Sequence, residues 1–69
     1  MDSRDKVRQQ IIAYAMYYLG CRALSPYDAY QIAVKVSKGY NDRAIDYIIE
    51  HDDLDYDHVV KNTLEVLNG

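Results

Sequence analysis

Three short segments of this chain each carry the chemistry of a helix N-terminus, and together they leave little freedom in how it can fold. In Ser25-Pro26-Tyr27-Asp28, the serine suits the N-cap, the proline the first helical position and the aspartate the third, as in a capping box. Asn41 and Asp55 are the other two caps. Around them Tyr40 pairs with Ile45, and Leu54 with Val59, at the spacing of a hydrophobic staple. Gly20 and Gly39 supply stops ahead of the first two starts. These signals predict helices over about residues 3–19, 26–38, 42–52 and 56–67. No segment alternates with period two, and there is no internal repeat or low-complexity linker. The expected fold class is all-α: residues 1–69 form a single helical domain, a compact bundle of four short helices.

Each segment has an apolar face to bury. Val7, Ile11, Tyr14, Ala15, Tyr18 and Leu19 share one side of the first helix, whose second half, Ala13 to Leu19, is apolar all round. Ala29, Ile32, Ala33 and Val36 make the core face of the second, while Tyr27, Tyr30 and Val34 form another apolar strip. Ala44, Ile45, Ile48 and Ile49 fall together on the third. The fourth is the cleanest amphipath, with Val59, Val60, Thr63, Leu64, Val66 and Leu67 on one broad face.

Charge is distributed unevenly. Net charge is −3, yet residues 1–38 balance to +3, with six basic side chains against three acidic, and residues 39–69 to −6, with two against eight. Seven of the eleven carboxylates lie between Asp42 and Asp57. On a helical wheel Asp42, Asp46, Glu50 and Asp53 fall in one narrow arc, and the isoleucines in another. Like charges four residues apart cost a helix roughly 0.2–0.5 kcal/mol per pair, so the stripe does not stabilise its own helix. Two readings follow: the halves pack and neutralise one another, or an acidic surface is displayed to a basic partner.

Size and composition exclude several functions. A chain this short buries only about 60% of its unfolded surface, which leaves little room for a catalytic pocket. The longest apolar run, Ala13 to Leu19, is far below the roughly 20 residues that span a bilayer. The first residues, Met1-Asp-Ser-Arg-Asp-Lys6, show no leader pattern, so a cytoplasmic protein is expected. There is no phosphate loop, nucleophile elbow or zinc spacing, and no enzymatic activity is expected. Asp53-Leu-Asp-Tyr-Asp57 imitates the opening of a calcium loop, but His58 stands where glycine is needed and Leu64 where a bidentate Glu is needed. No metal or cofactor is therefore expected. Cys21, the only cysteine, reads as a small buried hydrophobe. The strongest charge feature has the wrong sign for phosphate, so direct nucleic-acid binding is not expected either.

Eight tyrosines with no Phe or Trp mean that some aromatic rings must rim the surface, as tyrosines at contact surfaces do. From Asp28 to His51, the pattern Ala33-Val34 followed by Asp42-Arg43-Ala44-Ile45-Asp46-Tyr47-Ile48-Ile49 resembles the last two helices of ubiquitin-associated domains. The likeness implies a helical interaction module. The loop after the first helix, Leu19-Gly20-Cys21-Arg22-Ala23-Leu24, departs from the Met-Gly-Phe loop of that family, and a fourth helix is added.

The expectation is a non-catalytic protein-binding module, an inhibitor or adaptor of the kind phages make, docking on a basic and nucleic-acid-handling site of a larger protein. Asp42, Asp46, Glu50 and Asp53 would supply charge, and Tyr47, Tyr17, Tyr27 and Tyr30 apolar anchors. The alternative is a self-assembling subunit, a homodimer or larger, motivated by surplus apolar area on the first two helices.

Overall fold

The computed structural model describes residues 2–69. Four helices follow in order: α1 (Ser3–Cys21), α2 (Pro26–Gly39), α3 (Asp42–His51) and α4 (Tyr56–Asn68). The bundle is all-α, as the caps predict. Ser25 Oγ accepts the Asp28 N–H, Asn41 Oδ1 the Ala44 N–H and Asp55 Oδ1 the Asp57 N–H. Asp2 does the same for α1, accepting from the Arg4 N–H.

The helix ends differ from expectation for local reasons. Gly20 does not stop α1, which continues through Cys21. The left-handed residue that closes it is Ala23, with φ of 63°. Ala23 N–H donates to the Gly20 carbonyl and Leu24 N–H to the Leu19 carbonyl, the paired bonds of a Schellman turn with alanine in glycine's usual place. Because α1 extends to Cys21, that side chain sits about 200° around the helix from buried Leu19, and it is exposed rather than core. α2 includes Gly39, and α4 runs one residue further, to Asn68. α3 ends at His51 because Asp52 adopts the left-handed conformation (φ 48°, ψ 49°), which Asp tolerates better than most residues.

Helix α1 is central: it lies against all three others, α2 also meets α4, and α3 comes close to α1 alone. One core joins Val7, Ile11 and Ala15 of α1, Ala33 and Val36 of α2, Ile45 and Ile48 of α3 and Val59 of α4, with Tyr40 inserted from the α2–α3 link. Both staples seat their residues there, Tyr40 with Ile45 and Leu54 against the cluster holding Val59. Ile49, expected in the core, is 40% exposed. It lies beside Ser3 and Lys6, where α1 begins, so no helix extends far enough to cover it. Among the described residues, the buried polar side chains are Ser37 and Thr63; the Thr63 hydroxyl donates to the Val59 carbonyl one turn back at 2.7 Å.

Among the described residues, no helix is long and apolar enough to cross a membrane.

Candidate functional site

The acidic stripe of α3 meets the N-terminal half of α1, and the two run antiparallel. Arg4 Nε and Nη2 donate to the two Asp46 carboxylate oxygens at 2.9 and 2.8 Å, and Arg4 Nη1 lies 3.4 Å from Asp42. Arg8 Nη2 donates to Asp42 Oδ1 at 3.2 Å, while its Nη1 donates to the Ser37 carbonyl at 2.7 Å. Arg4 and Arg8 are one helical turn apart, and so are Asp42 and Asp46. The four side chains form a ladder in which each like-charge pair is offset by the pair opposite. Asp42 and Asp46, whose stripe does not stabilise its own helix, are thus matched by α1.

Hydrogen bonding to Arg4 holds the Asp46 carboxyl below the usual value of 3.8. A carboxyl depressed in the folded state adds stability that is complete above its unfolded value and is lost as pH falls through the folded one. The urea midpoint of the wild type should thus fall more steeply below pH 3.8 than that of Asp46→Asn, the two curves converging in stronger acid. Parallel acid limbs would remove the ladder from the stability account.

The opposite side of α3 faces α4 across a gap. There a hollow of about 420 Å³ is lined by Tyr40, Ala44, Tyr47 and Ile48, with Asp53, Asp55 and His58 at its α4 end. A second hollow of about 440 Å³ continues it between the end of α2 and α4, past Lys35, Asn62 and Glu65. Both share Tyr40, Ala44 and His58, so they form one furrow. Asp55, His58, Asn62 and Glu65 mark its α4 wall over about 15 Å. Its floor includes the one deeply buried tyrosine, Tyr40, 5% exposed. The Tyr40 hydroxyl accepts Asn62 Nδ2–H at 2.7 Å and lies 3.2 Å from His58 Nδ1, with the His58 ring edge-on to the phenol. Burial raises the phenol above its ordinary value of 10.0, so at neutral pH it is a hydroxyl.

The expected site residues therefore separate. Tyr47 and Asp53 meet in the furrow. Tyr47 is 53% exposed and stacks on His51 at 4.1 Å. Glu50 is exposed on the same helix. Asp42 and Asp46 face α1 in the ladder. Tyr17, 70% exposed, sits edge-on to Tyr56, which with Ala13 and Tyr14 frames a shallow apolar hollow between α1 and α4. Tyr30 lies beside Arg8 and Lys38, a basic setting, and Tyr27 projects from the first turn of α2. Sequence reasoning missed Arg8, His58 and Asn62 as a positioned set. The equal four-residue spacing of the arginines and aspartates was the available signal for Arg8; Tyr40 was recognised only for its ring.

Among the described residues, no three His, Cys, Asp or Glu side chains converge as metal ligands would. Comparison with protein-family models, curated proteins and solved structures finds nothing that matches this chain.

Proposed function

We propose that this protein is a non-catalytic binding module, an inhibitor or adaptor that engages a basic segment of a larger protein through the acidic, aromatic surface around the α3–α4 turn. The observation that carries this reading is the division of the acidic stretch. Asp42 and Asp46 are matched by arginines, whereas Glu50, Asp52, Asp53, Asp55 and Asp57 have no cationic side chain within 4.0 Å among the described residues. Of these unmatched carboxylates, Asp53 and Asp55 line the furrow, whose α3 wall is the apolar Ala44 and Ile48 with the exposed ring of Tyr47. Lys35 lies at the α2 end of the furrow, away from the hollow that Asp53 and Asp55 line; the excess of negative charge in that hollow speeds encounter with a basic segment and sets its register. A partner that itself handles nucleic acid presents such a basic surface.

The second reading, self-association, is supported by the hollow of Ala13, Tyr14, Tyr17 and Tyr56, which is apolar and shares no residue with the furrow. One experiment addresses both. Tagged wild type and a Glu50→Lys/Asp53→Lys variant are used as bait in 50 mM and 500 mM salt, with an untagged copy and ubiquitin as defined prey beside a host lysate. Reversing two of the unmatched charges, one of them in the furrow, is expected to cut partner recovery on the order of 10- to 100-fold, as high salt does. Equal recovery by both baits at low salt would sink the acidic-surface reading; retention of the untagged copy alone would favour self-association.

A further inference from the structure

The Tyr40 hydroxyl sits between two partners and has one proton to give. Its oxygen accepts from Asn62 Nδ2 at 2.7 Å, which leaves the proton for His58 Nδ1 at 3.2 Å. His58 is then the tautomer with its proton on Nε2, a free donor, while Asn62 retains Oδ1, a free acceptor. Turning the amide over reverses both roles: the phenol donates to Asn62 Oδ1 and accepts from His58 Nδ1–H, leaving Asn62 Nδ2 a donor and His58 Nε2 an acceptor. Having both neighbours donate would strand the proton of a phenol whose residue is only 5% exposed, and a buried donor without a partner is costly. A single shared proton thus leaves the furrow with one donor and one acceptor, one turn apart on α4. This complementary pair is unused within the fold, and both residues line the furrow.

We propose that His58 and Asn62 bind the main chain of an extended basic segment, taking the N–H and C=O of one of its residues. In an extended chain those two groups point to the same side, as they do toward a partner strand in an antiparallel ladder. The occupant is argued from charge and shape. Asp53 and Asp55 stand where a Lys or Arg side chain would lie, Ala44, Tyr47 and Ile48 offer an apolar wall to a neighbouring side chain, and the furrow's length of about 15 Å accommodates four or five extended residues. Tyr40 is a positioning residue: it touches no ligand and fixes the two groups that do. The inference rests on the docking reading above and adds main-chain recognition to it.

The test uses acetyl-Lys-Leu-Lys-methylamide and the same peptide with the leucine nitrogen methylated, which keeps both charges and loses one N–H. Each is titrated into the isotope-labelled full chain by NMR. The parent peptide is expected to shift the His58 ring and Asn62 side-chain amide signals, and the methylated peptide to bind at least tenfold more weakly. Tyr40→Phe should weaken the parent peptide to the level of the methylated one, so that the two are no longer distinguished; Asn62→Ala, which removes one of the contacting groups, should do the same if Tyr40→Phe does not fold. Equal binding of the two peptides by the wild type, abolished for both by Asp53→Lys, overturns main-chain recognition and leaves charge-guided docking standing. Furrow signals unmoved by the parent peptide also overturn it, while the bait experiment judges docking independently.

Discussion

Ile45→Ala is expected to bring the protein to the edge of unfolding at room temperature. The side chain is 0% exposed and lies in the cluster that joins α1, α3 and the ring of Tyr40. Truncating a buried isoleucine costs about 2–5 kcal/mol, part transfer and part cavity. A domain of this size draws only about 3–5 kcal/mol from its core, so most of the margin is removed. With a urea slope of roughly 1 kcal/mol/M, the midpoint should fall by about 2 M or more. Ile49→Ala is the internal control, since the same atoms are removed from a residue 40% exposed on the same helix. Its cost should stay below about 1 kcal/mol, because exposed apolar surface has little transfer energy to lose. Similar midpoints for the two variants would contradict the placement of α3 against α1.

Arg8→Ala is the second large effect, about 1.5–3 kcal/mol, typical of losing hydrogen bonds made by a charged group. Unlike Arg4, Arg8 is mostly enclosed, with 27% of its side chain exposed, and it spans two elements. One guanidinium nitrogen satisfies the Ser37 carbonyl near the end of α2, the other meets Asp42 in the first turn of α3. Arg8→Lys cannot reproduce this, since an ammonium lacks the planar fork that reaches two acceptors in fixed directions. It should recover less than half the loss by urea denaturation. Full recovery by lysine would reduce the role of Arg8 to that of a single charge.

How far these features are legible in the sequence depends on how local their causes are. The helix starts at Ser25, Asn41 and Asp55 were readable because a cap bonds a backbone group two or three residues away. The end of α1 was not, because any left-handed residue can close a Schellman turn and the structure uses Ala23 instead of the glycine three positions earlier. That shift also took Cys21 out of the expected core. The ladder involves partners 42 and 34 residues apart, so counting charges by halves suggested neutralisation without identifying the pairs. Tyr40 is the clearest divide. Its ring belongs to a local staple and was placed correctly, whereas its hydroxyl answers to residues 18 and 22 positions further along.

Among the helices, α3 comes close to α1 alone, held there by Ile45 and Ile48 in the core and by the ladder, while its other side is a wall of the furrow. Mechanically it is a door on a single post. A segment lodged between α3 and α4 that displaced α3 would have to work against the Arg4 and Arg8 contacts and the buried isoleucines. If occupancy of the furrow shifts α3, its binding energy and the strength of the ladder are two ends of one thermodynamic cycle, and a change in either appears in the other. Residues near the start of the chain, which line no part of the α3–α4 hollow, would then set how wide it opens.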